Sequence, residues 1–255
     1  MFVKLLLTLF IAFFSLIPNV HAIEQVSPCI TYDNQKPIHI TKVDLSCPSI
    51  KLIGTLPQHS DTTSNFARDN EATVAINGAF YDEKRNPLGL NYSHQHTWHR
   101  SKDYRQYAFF ACTKNNQCFI ESYNKSTIYQ PQWDLVISGW QSLQNGKFLC
   151  APSSTGICYR NAQTKHPRTA IGLTADNRFL YMVVVEGRRE EFQGYTLTQL
   201  ATLFKQLNVP HAINLDGGGS STMIINHNRV NALPDNQLFF ERSVANHLGI
   251  KDEKK

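Results

Sequence analysis

From Phe179 to Val185 the chain reads Phe-Leu-Tyr-Met-Val-Val-Val, almost continuously apolar. A run this short, ending in three β-branched residues, is a strand that must be covered on both faces. The fold therefore has to place a layer on each side of it. At 255 residues the chain has the material for one large domain or two small ones. No internal repeat or linker divides it.

Further short β-type runs surround that strand. Ile38 to Leu45 alternates apolar and polar residues, as a half-buried strand does. Ala72 to Ile76, Tyr107 to Ala111, Trp133 to Ile137 and Thr169 to Leu173 read the same way. One helix is clear, because Leu197, Leu200, Ala201, Phe204 and Leu207 recur at helical spacing. Thr196 with Gln199 makes a capping box, Tyr195 can staple onto Leu200, and Asn208 and Pro210 stop the helix. A weaker helix covers Thr62 to Asp69. The expectation is an α+β fold: a single strand-rich domain with a mixed sheet, about two main helices and disulfide staples.

The first residues read as an address. Met1 to Lys4 is short and positive, Leu5 to Ile17 is nearly all apolar, and Pro18 breaks the run. Val20-His21-Ala22 supplies the small residues of a cleavage site, so residues 1–22 are expected to be a signal peptide and Ile23 the mature start. A retained anchor is the competing reading, but the apolar stretch is short for a span. Export implies a secreted or periplasmic protein with no stable membrane anchor after cleavage. In such a compartment Cys29, Cys47, Cys112, Cys118, Cys150 and Cys158 favour disulfides. They fall into three near pairs, and Cys112 with Cys118 closes a turn-rich loop that reads as a clasped hairpin. Zinc is the alternative, but no Cys-x-x-Cys occurs.

The net charge of +5 includes Lys4 of the leader, which leaves the rest mildly basic. That suits an anionic substrate and falls short of a nucleic-acid footprint. The strongest local signal is Asn214-Leu-Asp216-Gly217-Gly218-Gly219-Ser220-Ser221-Thr222, between short strands at His211–Leu215 and Met223–Asn226. Three successive glycines cost conformational entropy and supply no packing. They make sense where backbone must turn sharply and approach something closely. Their amides, with the three hydroxyls, can form a nest for phosphate or sugar oxygens. Asp216 is placed to serve as base, nucleophile or metal ligand. A glycine-rich hairpin with a self-bonded Asp is the plainer reading of the same residues. P-loop, dinucleotide and nucleophile-elbow spacings are all absent.

Five blocks occur in order: Asn77-Gly-Ala-Phe-Tyr81, His166-Pro-Arg-Thr-Ala-Ile-Gly172, Glu186-Gly-Arg188, Asn214 to Thr222, and Ser243-Val-Ala-Asn246. Pro87-Leu88-Gly89 and the stretch from Ser138-Gly139 to Gly146 lie between them. This series resembles the phosphodiester glycosidase family over about residues 62–250, within a domain covering 23–255. Its members include a lysosomal enzyme acting on a sugar phosphodiester and many exopolysaccharide-associated bacterial proteins. Glu186 stands where the family usually has Asp, and Ala79 where it often has Gly.

The resemblance implies cleavage of a bond between an anomeric carbon and a phosphodiester, with a sugar-phosphate substrate. Such a leaving group is stable as an anion and needs positive charge more than a proton. Arg168 can offer a guanidinium fork and the Gly217–Gly219 amides fixed dipoles. Asp216 is then the leading nucleophile or base and Glu186 the second, with Asn77 orienting a hydroxyl or water. Gly78, Arg188, Ser220, Ser221 and Thr222 complete the expected binding set. No cofactor is required, although Asp216, Glu186, Asn214 and Asp82 are oxygen ligands that could hold calcium or magnesium. A carbohydrate-binding or envelope-assembly protein on the same fold, or a metal-dependent phosphodiesterase, stays open as an alternative. His94, His96 and His99 form a cluster that reads as a metal site or a polar loop. Asn91 and Asn124 head Asn-x-Ser sequons.

Overall fold

A computed structural model describes residues 23–98, 107–122, 130–150, 162–237 and 239–253. Residues 1–22, His99, Asn124 and Cys158 lie outside these, so the expectations attached to them go no further here. Three sheets share one interior. The largest has eight strands, in spatial order Ile23–Ser27, Ile30–Gln35, Ile38–Asp44, Phe179–Val185, Arg168–Leu173, His211–Asn214, Gln141–Gln144 and Lys147–Leu149. A five-stranded sheet is centred on Trp133–Gly139, and another on Val74–Asn77.

Phe179–Val185 lies inside the eight-stranded sheet and is covered on both sides, as its composition demands. Leu180, Met182 and Val184 point into the core shared with the other two sheets. Val183 and Val185 instead meet Leu200, Ala201 and Phe204 on the helix Leu197–Gln206, here α2. The Thr196–Gln199 capping box is formed in both directions. Tyr195 packs part-buried against the cluster that contains Leu200. Helix α1, Thr63–Asp69, is capped by Thr62 and covers the sheet of Val74–Asn77 with Phe66 and Ala67.

The expected mixed sheet is corrected, because every strand pair among the described residues is antiparallel. The reason lies in two helical crossovers, of which α1 links Ile50–Gly54 to Val74–Asn77 with His247–Asp252 paired antiparallel between them. Helix α2 links Phe179–Val185 to His211–Asn214, two strands that run the same way. Arg168–Leu173 sits between them and pairs antiparallel with both. A crossover of this split kind therefore leaves no parallel ladder.

Cys29–Cys47 and Cys112–Cys118 are disulfides. The second joins residues directly opposite each other in the hairpin Ala108–Thr113 with Cys118–Glu121. Cys150 is also disulfide-bonded.

Under the ends of these strands lies a buried amide network. Asn77 has no exposed surface. Its Oδ1 accepts from the Thr169 hydroxyl at 2.7 Å and the Thr222 N–H at 3.2 Å, and its Nδ2 donates to the Asp216 carbonyl at 2.7 Å. Gly78 accepts from Asp216 N–H at 3.0 Å, so residues 77 and 78 hold both polar groups of the Asp216 backbone. A Cβ on Gly78 would collide with Asn246, whose own amide bonds Ala79 and Asn91.

Truncating Asn77 to Ala leaves a hydroxyl, an N–H and a carbonyl buried without their partner. The expected cost is about 3 kcal/mol, read as a lower urea midpoint at unchanged slope.

Candidate active site

Neighbouring strands end together at one edge of the eight-stranded sheet. Arg168 begins its strand opposite Val185, and Gln141 lies opposite Asn214. The chain beyond Asn214 turns through Asp216 and Gly217 into a single 3-10 turn, Gly218–Ser220. A cleft of about 280 Å³ opens there, lined by Asp216, the three glycines, Arg168, Arg188, Arg242, His166, Phe80 and Trp140 among others.

Each glycine is required for a separate reason. A Cβ on Gly217 would lie 2.6 Å from the Pro167 carbonyl oxygen. Gly218 has φ +61°, the left-handed region, and its Cβ would lie 2.9 Å from the Arg188 guanidinium. At Gly219 a Cβ would meet the side chains of Gln237 and Arg242. The loop is thus pressed between backbone on one side and two arginines on the other. Two of the three glycine amides are already engaged. Gly218 N–H donates to Pro167 O at 2.9 Å, and Gly217 N–H bonds the Asp216 carboxylate. The Gly217 and Gly218 amides thus shape the loop and hold the acid.

Among the described residues Asp216 is the one carboxylate in the lining. Burial pushes its pKa up to about 6, against the opposing pull of the Ser220 hydroxyl, the Gly217 amide, Arg242 and Arg188. Desolvation wins although four favourable partners surround the group. The acid is ionised at neutral pH and remains basic enough to take a proton.

Positive charge dominates the rest of the cleft. Arg168 is buried, donates from Nε to Tyr195 O and from Nη2 to Thr164 O, both at 2.9 Å, and makes no ion pair among the described residues. Burial, then the charge of Arg188, lower its pKa to about 10, so it stays cationic. Arg188 Nη2 donates to His166 Nδ1 at 3.4 Å, which leaves the proton of a neutral His166 on Nε2. Burial and the two arginines lower the pKa of His166 and keep it neutral. Phe80 and Trp140 pack edge to face at 5.4 Å and form an apolar wall.

Several expected members sit elsewhere. Asn77 and Gly78 are beneath the loop, where the protein takes up their polar groups. Ser221 and Thr222 are buried, and their hydroxyls find no partner among the described residues. Ser220 is buried too, but reaches Asp216. Glu186 lines a different cavity of about 540 Å³ with Lys36, Arg189 and Asn231. Its Oε1 accepts from His39 Nε2 and from Ala232 N–H, both at 2.8 Å. Burial raises its pKa, and His39, the Ala232 amide and Arg189 together outweigh that and bring it below the usual value. Glu186 belongs to a buried Tyr32–His39–Glu186 chain, not to the cleft.

The four oxygen ligands do not converge either. Asp82 bonds Lys84 and Asn86 in its own turn, and Asn214 donates to Gln141. No group of three or more His, Cys, Asp or Glu suited to a metal occurs among the described residues. His94 bonds Gly54 O at 2.9 Å, while His96 is exposed. The Asn91 sequon is buried, its amide bonded to Leu88, Gly89 and Ser138.

Sequence reasoning missed His166, Phe80, Trp140 and Arg242. The first two lie inside blocks it had singled out. Trp140 lies in the stretch from Ser138 to Gly146, and Arg242 precedes Ser243, so the motifs marked the neighbourhood without showing which side chains face the cleft.

No helix of the described residues is long and apolar enough to cross a membrane. Among solved structures, a hypothetical protein from Synechocystis matches with a TM-score of 0.68 at 16% identity, covering 91% of this chain and 64% of that one. The catalytic domain of zebrafish N-acetylglucosamine-1-phosphodiester alpha-N-acetylglucosaminidase, auto-inhibited by its pro-peptide, matches at 0.67 and 22% identity, covering 89% and 85%. At such identities the likeness is one of fold. The SPbeta prophage-derived uncharacterized protein YomE of Bacillus subtilis (strain 168) is 26% identical over 237 residues. The match covers 88% of this chain and 33% of that protein, so the chain spans about a third of this relative's length. The family model described as phosphodiester glycosidase matches residues 70–251, most of the chain. On that match the protein belongs to the phosphodiester glycosidase family.

Proposed function

We propose that the protein hydrolyses the glycosidic C–O bond of a sugar-1-phosphodiester, releasing free sugar and a phosphomonoester, on extracellular or cell-surface glycans. The observation that carries this reading is one carboxylate of raised pKa in a cleft lined by three arginines. The arginines match a phosphodiester anion. The Phe80–Trp140 wall suits the apolar face of a sugar ring.

In this mechanism the phosphate lies against Arg188 and Arg242, with Arg168 as a fixed charge behind them. Asp216 accepts a proton from a water as that water's oxygen bonds the anomeric carbon. The electrons of the C–O bond leave on the phosphate oxygen, which departs as a phosphomonoester held by the guanidinium groups. Asp216 then returns its proton to solvent. The leaving anion needs no proton donor, so a second carboxylate is not required. Neutral His166 can donate from Nε2 to a phosphate oxygen.

Hydrolysis of N-acetylglucosamine 1-phosphate esters in oxygen-18 water tests the bond cleaved. Label is expected in the sugar; label in the phosphate would make the enzyme a phosphodiesterase. Asp216→Asn is expected to lower kcat by at least about a thousandfold.

The same variant has a stability signature. The folded pKa of about 6 lies above the usual 3.8, so between these values the native state keeps a proton that the unfolded chain has lost. Stability from this group is present below that window and lost as pH rises through it. At pH 7 Asp216→Asn is therefore expected to melt at a higher temperature than the parent, and a lower Tm would count against a desolvated carboxylate.

The pH profile follows from the same group. Asp216 must be ionised to act, so kcat/KM is expected to fall about tenfold per pH unit below about pH 6. A profile flat down to pH 4.5 would remove Asp216 from the base role.

A further inference from the structure

Glu186 takes no part in the catalytic cleft, yet its carboxylate is only half used. The side chain is 9% exposed, and the two groups that donate to it, His39 Nε2 and the Ala232 N–H, both bond Oε1 at 2.8 Å. Among the described residues nothing donates to Oε2. The Tyr32 hydroxyl bonds His39 Nδ1 at 2.7 Å, so a buried chain fixes the carboxylate from the protein side. On its other side is the cavity of about 540 Å³ that Glu186 lines. A charged oxygen this deeply buried calls for a donor, and the cavity is where one can come from.

The rest of the lining narrows what that donor is. Lys36 and Arg189 offset Glu186 and Glu191, so the cavity offers no net charge for an ion to match. Arg189 is itself held, by the Leu233 carbonyl at 3.0 Å and by Asp235 at 3.5 Å. What Oε2 lacks is a hydrogen bond, and a hydroxyl supplies one without adding charge. The two cations can in turn donate to ligand oxygens. Phe192 adds an aromatic face, set against Tyr195 at 6.0 Å, and Pro37 and Val230 extend it. Hydroxyls in both roles around an apolar ring face are the chemistry of a pyranose.

This cavity and the cleft share a wall. Glu186 and Arg189 line one, while Arg188, between them in sequence, lines the other. Asn231 of the cavity donates to Ser221 O at 3.1 Å and accepts from the Met223 N–H at 2.7 Å, directly after the glycine loop. We propose that the Glu186 cavity is a second carbohydrate site beside the catalytic cleft, binding a neutral pyranose through a hydroxyl donated to Glu186 Oε2 and a ring face laid on Phe192. The site holds a sugar without acting on it, and it does not rest on the glycosidase reading.

The test is an NMR titration of the nitrogen-15-labelled full-length protein with methyl glycosides of glucose, galactose, mannose and N-acetylglucosamine, each to about 50 mM, the range of weak single-sugar binding. At least one is expected to give saturable shifts at the amides of Arg189, Phe192 and Ala232. Two variants locate the contact. Glu186→Gln keeps an acceptor for His39 and Ala232 but replaces Oε2 by a donor, and Ala232→Leu fills the cavity without removing a hydrogen bond. Each is expected to weaken the sugar by about tenfold or more, the worth of a hydrogen bond to a charged group. No saturable shift with any of the four sugars would overturn the proposal, as would shifts confined to residues of the cleft. Unchanged affinity in a folded variant of either kind would also overturn it, and so would tighter binding of methylammonium or glycine than of every sugar. The titration needs no turnover, so sugar release from a phosphodiester can fail while this site stands, and the reverse.

Discussion

The site depends on one buried amide. Asn77 joins the end of one sheet to the start of another strand and to the loop that carries Asp216, through Thr169, Thr222 and the Asp216 carbonyl. Backbone bonds run beside it, from Leu215 N–H to Thr169 O and from Asp216 N–H to Gly78 O, and the Asn77 side chain links all three segments at one place. A side chain with a donor and an acceptor on one planar group can satisfy all three at once, and a buried polar group that is fully satisfied specifies one arrangement. With Gly78 on the other side of the Asp216 peptide, the acid is fixed through its backbone. The carboxylate can then stay strained in its electrostatics without being loose in position.

That division explains how the cleft tolerates its charges. Arg168, Arg188 and Arg242 would pull any nearby carboxylate down, yet Asp216 stands above its usual value because burial outweighs them. The arginines are spread around the cleft instead of being paired with Asp216; no ion pair joins them among the described residues. A tight Arg–Asp bridge would have cancelled both functions, neutralising the anion site and making the acid a poor base. The Gly217 amide and Ser220 hydroxyl hold Asp216 in place of a guanidinium, which leaves the positive charge for a phosphate.

Much of this was legible in the sequence where the signal was periodic or local. The apolar run Phe179–Val185 declared a strand covered on both faces, and Thr196 with Gln199 declared the start of α2. Strand direction was not legible, because it turns on Arg168–Leu173 inserting between two strands that α2 connects, a fact of spatial order. Asp216 with the glycines, Arg168 and Arg188 sit in three separate short blocks, each at a strand end, and the fold brings them to one cleft. The misplaced residues failed for a common reason. Asn77, Ser221 and Thr222 are polar residues next to the motif, and sequence does not say whether a polar group near a site faces the ligand or holds up the loop. Glu186 failed differently: it follows the strand beside Arg168, but its carboxylate turns to His39 and Ala232, into a separate cavity.

The placement of Glu186 bears on the chemistry itself. Cleaving an ordinary glycoside calls for two carboxylates because an alkoxide is a poor leaving group and must be protonated. If Glu186 had stood across the cleft from Asp216, the pair would have pointed to that demand. Among the described residues one acid lines the cleft, with three arginines and a neutral imidazole around it. Such a site is badly made for expelling an alkoxide and well made for receiving an anion that is already stable. The second carboxylate, held below its usual pKa by His39 and a backbone amide, is kept ionised and bound to the protein. The two acids thus differ in kind, one raised in pKa and lining the cleft, the other lowered and tied down in a separate cavity.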